Sequence, residues 1–383
     1  MMRALVNRVV SIPILAFGLA ACSGGDDGSG AFTEVIPLAS YNFDAPDSAM
    51  QTFVDENAVF EGISYTIVDQ EQGTVHEAAF GDHELDIVVL LASTSKMPVA
   101  LLMMALHDDP AVEFDINTPI SNYLPWMGLY GDASTAQLLS NTSGIPGLEG
   151  LGSYGASLCQ FAPLPDLLGC AETIYTTPVA GSVAPGTRFS YGGSQWQLAG
   201  AVAEVVGGAS WAQLFAQYIA EPCDLEVFSF GNPWSNVGAW TGSPDSLIGR
   251  DNPNIEGGAI SNMRDYAKLL QMTLDGGMCG DTQVLSAESL AFMREDKGGA
   301  LGTPYGMGWW LIDSTDGGAT SLFYDPGAFG AVSWIDTERN YAGYLAVDDY
   351  TRVDSGAPVA LTLGEIIPLV AAAIDQARAD VAR

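Results

Sequence analysis

Strand-like alternation appears at both ends of this sequence and hardly at all in the middle, and that arrangement limits the fold more than any other feature. Toward the N-terminal side, "GISYTIVDQ" and "GTVHEAAFG" alternate apolar and polar residues around a turn at Gln72-Gly73, which predicts an antiparallel hairpin. Far downstream, "YGMGWWLI", "TSLFYDPG", "GAVSWIDTERN" and "YAGYLAVDD" read as four strands or turns in succession. Helices are expected in "DSAMQTFVDENAVF" ahead of the hairpin, in "GGAISNMRDYAKLLQMTLDGG", and in a terminal amphipathic stretch, "LGEIIPLVAAAIDQARADVAR". From about residue 115 to 253 the chain is irregular and rich in Gly, Pro and Ser, with short helical pieces such as "SQWQLAGAVAEVVGG". The expected class is therefore α+β: one antiparallel sheet assembled from both ends of the chain and flanked by helices, with a mainly α lobe inserted at about 115–253. With 383 residues and 48% hydrophobic content, the chain can build one large core or two lobes sharing one.

Charge excludes two classes of partner. A formal net charge of -33 repels nucleic acid and anionic lipid surfaces, and its plainest reading is a solvated acidic shell. The N-terminus reads as an export address. Arg3 and Arg8 precede an apolar segment too short for a comfortable membrane span, which ends in "LAAC" at Cys22. That ending resembles the bacterial lipoprotein lipobox, which implies cleavage just before Cys22 and acylation of that cysteine, so that residues 1–22 comprise the signal peptide and the acylated cysteine. A flexible tether over 23–40 then leads into the globular domain, 41–383. Ser23 after the cysteine favours the outer membrane, so a periplasm-facing or surface lipoprotein is expected.

The other cysteines fit an oxidising compartment. Cys159 with Cys170 and Cys223 with Cys279 is the simplest of three possible pairings. No metal or cofactor site is expected, because CxxC spacing is absent and the histidines, His76, His83 and His107, are not clustered as zinc ligands would be.

Chemistry concentrates in "LASTSKMPVALLMMALHDD". The chain has only three lysines, Lys96, Lys268 and Lys297, and one of them stands three residues after Ser93 at the head of an apolar run. Residues i and i+3 share a helix face, so the Lys96 amine is expected beside the Ser93 hydroxyl. A helix start also supplies free N–H groups and the positive end of the dipole, which favour negative charge developing at the serine. Packed among Ala, Met and Leu, Lys96 is expected to have a lowered pKa and to accept the serine proton. The bland alternative is a capping serine followed by a solvated lysine. Rival serine chemistry is disfavoured: GxSxG occurs nowhere, and no histidine follows residue 107.

At these residues the sequence resembles the serine β-lactamase and penicillin-binding-protein-like hydrolases, in particular their class C-like and esterase branch. The likeness spans most of residues 45 to 375. It rests on the SxxK stretch, "FDINTPISNYLPW", "STAQLLSNTSGIPG", "APGTRFSYGGSQWQLAGAVAEVVGG", "GGAISNMRDYAKLLQMTLDGG" and "DPGAFGAVSWID". The resemblance implies Ser93 as an acylated nucleophile, Lys96 as its proton acceptor, and Tyr191 as a partner in the base role. It further implies an oxyanion hole built from the backbone N–H groups of Ser93 and Ala328.

Departures from the family pattern shape the expected substrate. Gly193 stands where the second motif has asparagine, which would contact the lysine and the substrate. Asn141 stands where many relatives have histidine. Asp325-Pro326-Gly327 replaces Lys-Thr-Gly or His-x-Gly. Gly193, Asp325 and Gly327 are thus placed at the substrate-binding surface, with the Asp325 carboxylate expected to repel anionic substrates. The expected activity is cleavage of a small ester, with an amide next, through an acyl-enzyme. The alternatives are β-lactamase or D-amino-acid peptidase activity, or a non-catalytic binding lipoprotein of the same fold.

Overall fold

The computed structural model describes residues 39–148, 158–312, 320–350 and 356–382. The export segment, Cys22 and nearly all of the tether, 23–38, lie outside the described residues. Helix α1, Asp44–Glu56, leads into the hairpin of β1, Gly62–Asp69, and β2, Gly73–Gly81. A short strand β3, Val89–Leu90, precedes α2, Lys96–Asp108. The middle of the chain carries α3, Thr135–Leu139, α4, Leu167–Thr176, α5, Ser194–Gly207, α6, Trp211–Phe215, and the two-residue β4, Ser229–Phe230. Next come β5, Ala259–Ser261, α7, Met263–Leu274, the small ribbon of β6, Met278–Cys279, and β7, Thr282–Gln283, and then α8, Ala287–Arg294. The chain ends with β8, Trp310–Ile312, β9, Leu322–Pro326, β10, Val332–Asp336, β11, Tyr341–Ala346, α9, Gly356–Leu361, and α10, Ile367–Val381.

The two ends of the chain meet in one antiparallel sheet, ordered β2-β1-β11-β10-β9-β8. Its junction is β1 against β11, with Ser64 opposite Ala346 and Asp69 opposite Tyr341. Helices cover both faces, so β1 is buried along its whole length despite its polar alternation. Met50 of α1 and Val370 and Ile374 of α10 pack on one face with Tyr65, Trp334 and Leu345. Helix α2 forms the centre of the larger core on the other side. Its residues from Lys96 to Leu106 are buried all round, as expected of a helix that is apolar on every face. The helical run Gly356–Val381 is long and apolar enough to cross a membrane by length and composition, but it lays Ile366, Val370 and Ile374 on the sheet.

Two local departures from the sequence reading position the site. In "YGMGWWLI" only the last three residues form a strand. The chain turns back at Gly308, whose φ is +84° and whose hypothetical Cβ would lie 2.8 Å from the Lys96 carbonyl oxygen. A second small sheet, β3-β5-β4, lies behind the start of α2. The cysteines pair as Cys159–Cys170 and Cys223–Cys279, with Cα separations of 5.5 and 5.0 Å.

Candidate active site

The stretch "ASTS" winds into a 3-10 turn, Ala92–Ser95, that runs directly into α2. Ala92 enters it with φ of +48°, a left-handed conformation uncommon for a residue with a side chain, and it is fully buried. Flanking hydroxyls hold this conformation. Thr94 Oγ1 donates to the carbonyl oxygens of Asp325 and Ala331, at 3.1 and 3.0 Å. Ser95 Oγ donates to Ala92 O at 2.7 Å and accepts from Ala259 N at 3.1 Å. The turn carrying Ser93 is therefore pinned to β9 and its following turn on one side and to β5 on the other.

Ser93 itself is not a helix cap, because it lies inside the 3-10 turn while Leu91 and Ser95 hold the cap positions, and its hydroxyl receives a hydrogen bond from Lys96 Nζ at 3.1 Å. Nor is Lys96 solvated. Its side chain has no exposure, and Nζ also donates to the Glu256 carbonyl oxygen at 2.9 Å and lies 3.5 Å from Glu256 Oε2. The capping-and-solvation alternative is thereby set aside. Tyr191 interacts electrostatically with Lys96 and lies beside Ser93, and Lys96 Nζ sits 4.8 Å from the centre of its ring. The three residues singled out from the sequence converge on one point.

The second-motif turn is cradled by "SNTSG". Asn141 follows the end of α3 with φ of +58°, and its Oδ1 accepts from Gln195 Nε2 at 2.9 Å and Trp196 Nε1 at 3.0 Å. Gln195 Nε2 also reaches the carbonyl oxygens of Ser190 and Gly192. Asn141 is thus an interior polar contact that fixes the turn bearing Tyr191. Trp310 stacks on the Tyr191 ring with centroids 5.3 Å apart, and Tyr305 meets it edge-on.

On the other side, Gly327 packs so closely that a Cβ there would lie 2.1 Å from Leu91 O and 2.8 Å from Thr94 Oγ1. That approach brings exposed Ala328 beside the Ser93 turn. The Ser93 N–H belongs to the first turn of its 3-10 segment, where a helix has no partners of its own for such groups.

Three expectations require correction, the third being that for Gly193, which faces Glu256. Alternation along β9 puts Phe323 and Asp325 on its buried face, so Asp325 does not line the acyl pocket. It is fully buried beneath the start of α2, where Oδ2 accepts from Met97 N at 3.3 Å and supplies the end-capping acceptor that Ser95 does not. Burial holds its carboxyl well above the usual carboxylate range, despite Lys96 and the Met97 N–H. The second correction concerns Lys96. Burial opposes its charge, yet the acidic groups of Tyr191, Glu256 and Asp325 outweigh burial and hold the amine above the ordinary lysine value. That direction favours the ammonium form of Lys96 in the resting site.

Glu256 escaped the sequence reading. It precedes Gly257-Gly258 in the turn before β5 and is 7% exposed. Gly193, expected to touch substrate, instead faces this carboxylate: a Cβ at 193 would lie 1.8 Å from Glu256 Oε1. The only signal in the sequence is the pair taken together, an acid beside the Gly-Gly turn and a missing side chain in the Tyr191 motif.

A sheet built from both chain ends, an α-helical middle, and a serine–lysine pair at the head of a buried helix together define the β-lactamase and transpeptidase class of fold, whose members are serine hydrolases. The chain belongs to the beta-lactamase family, whose sequence model matches residues 48–360. It is 28% identical over 293 residues to penicillin-binding protein 4 of Amycolatopsis lactamdurans, covering 70% of this chain and 71% of that protein. A beta-lactamase-type protein of Bacteroides dorei superposes with a TM-score of 0.68 at 25% identity, over 88% of this chain and 99% of the other. EstCE1, a hydrolase with promiscuous acyltransferase activity, has the same TM-score at 16% identity, over 84% and 97% of the two chains.

Proposed function

We propose that this protein is a serine hydrolase that cleaves neutral carboxylic esters, with amides as slower substrates, through an acyl-enzyme on Ser93. The observation that carries the reading is the Ser93–Lys96 contact of 3.1 Å in a turn pinned on both sides, with the Tyr191 ring centred 4.8 Å from Lys96 Nζ. Ser93 Oγ attacks the ester carbonyl, and the Ser93 and Ala328 N–H groups receive the oxyanion. Ester preference is supported by what stands at the third motif. Buried Asp325 offers no cation for a substrate carboxylate, while half-buried Trp310, stacked on Tyr191, provides apolar surface.

The likeness to a penicillin-binding protein favours a second reading, hydrolysis of β-lactams or D-amino-acid peptides. A binding lipoprotein without catalysis is the third, and nothing in a purely binding role calls for the Ser93, Lys96 and Tyr191 contacts. Comparing kcat/KM for p-nitrophenyl butyrate and nitrocefin separates the three. The ester is expected to be the better substrate, with both activities lost in Ser93→Ala. Efficient nitrocefin cleavage with no ester turnover would replace the esterase reading with the second, and no turnover of either would leave the third. From the sequence we further propose export and membrane anchoring through an acylated Cys22.

A further inference from the structure

We propose that Glu256, seated in the volume that Gly193 leaves without a side chain, is a positioning residue that stores a Lys96 proton, so that Lys96 can accept the hydroxyl proton of Ser93. This rests on the reading of Ser93 as nucleophile. An ammonium carries a full set of protons and can only donate to Ser93; it becomes a base only after passing a proton elsewhere. Glu256 is the carboxylate paired with Lys96 among the described residues, with Oε2 3.5 Å from Nζ, and its own carbonyl oxygen ties Nζ at 2.9 Å. Tyr191 is half-buried, and desolvation raises its hydroxyl above the ordinary phenol value, so it holds its own proton rather than taking one from Lys96. Asp325 is directed away to Met97 N, which its Oδ2 meets at 3.3 Å.

The seat of this carboxylate is tight. A Cβ at 193 would lie 1.8 Å from Oε1, 2.2 Å from Cδ, and 2.6 Å from Gln160 Oε1, so only one of the two positions can project a side chain into the space. Titratable groups facing Glu256 are Lys96 from α2, Tyr191 from the turn before α5, and Tyr305 from the segment before β8. Asp325 faces Lys96 from β9. Burial raises the Glu256 carboxyl above the ordinary glutamate value and Lys96 opposes that rise, so its protonation is poised above the usual carboxylate range.

The proton balance closes. A proton first moves from Nζ to Oε2, leaving a neutral amine beside a neutral acid. As Ser93 Oγ bonds to the acyl carbon its proton passes to Nζ, and the departing alkoxide takes that proton when the C–O bond breaks. In the second half a water attacks the acyl carbon and yields its proton to Nζ, and Ser93 Oγ recovers it on leaving. Oε2 then returns the stored proton to Nζ.

The test is the pH dependence of kcat/KM for p-nitrophenyl butyrate in wild type, Glu256→Gln and Gly193→Ala. Wild type is expected to lose activity as acid protonates Glu256. In Glu256→Gln, activity at neutral pH should fall roughly tenfold or more, with the acid limb moved to the alkaline side, where Lys96 alone must lose its proton. Gly193→Ala, which keeps the carboxylate but displaces it, should shift the limb in the same direction. An acid limb in Glu256→Gln that coincides with wild type overturns the proposal, whatever the change in rate. Fluorophosphonate labelling of Ser93 in wild type separates the two levels. Labelling together with an unmoved limb defeats only the role of Glu256, whereas no labelling removes the nucleophile reading and this inference with it.

Discussion

Asp325 illustrates how far a side chain's environment decides its chemistry. As a carboxylate in a pocket it would select against anions; fully buried under α2, with its proton favoured by burial, it has no such role. Because its folded form favours the proton, it leaves stability unchanged below the ordinary carboxylate value. Above that value it lowers stability progressively until the folded pKa is passed, at ~1.4 kcal/mol per pH unit of the gap. Asp325→Asn keeps the acceptor for Met97 N and removes this cost. Its melting temperature should exceed that of wild type by more at pH 7 than at pH 4, while the ratio of ester to nitrocefin turnover stays unchanged. An equal difference at both pH values would mean that the group is ionised in the fold. Ser93, Lys96 and Tyr191 were legible in the sequence because two lie within one helical turn and the third follows an ordered motif. Glu256 was not, since its meeting with Lys96 spans 160 residues and depends on the absence of a side chain at 193.

Elements act here by close approach of backbone to backbone. Gly327 lets the turn after β9 touch the Ser93 turn, and Gly308 lets the chain before β8 bend around the start of α2. Gly327→Val would force the β9 turn away from Leu91 O and Thr94 Oγ1. Displacement of about 1 Å at Ala328 should lower kcat by roughly 100-fold, with Ser93 and Lys96 untouched. Wild-type kcat in that variant would place the oxyanion donors elsewhere. The hairpin β1–β2 and strands β9 to β11 were readable from alternation, because turn residues bound them clearly. The face of β9 that points inward was not, because Asp325 and Tyr324 give no apolar contrast and packing under α2 decides between them. The shortness of β8 likewise follows from the Gly308 bend, a contact with α2 that alternation does not encode.

For the whole molecule, the sheet from both ends was the most legible feature and the inserted helical middle the least detailed, since Gly, Pro and Ser mark loops without saying where they pack. Cys223–Cys279 ties the segment after α6 to the β6–β7 ribbon across 56 residues, which should contribute about 2–4 kcal/mol. Cys223→Ala with Cys279→Ala should lower the denaturant midpoint accordingly, and an unchanged midpoint would show that the bridge is dispensable. Cys22→Ser should move the protein from the membrane to the soluble fraction, and unchanged fractionation would exclude lipid anchoring at that residue. The account stands on Ser93 forming a covalent adduct. Labelling of the purified protein with a fluorophosphonate probe, followed by peptide mass mapping, tests this most directly. The expected result is a single adduct at Ser93, absent in Ser93→Ala and strongly slowed in Lys96→Ala; an adduct on another residue, or none in wild type, would contradict it.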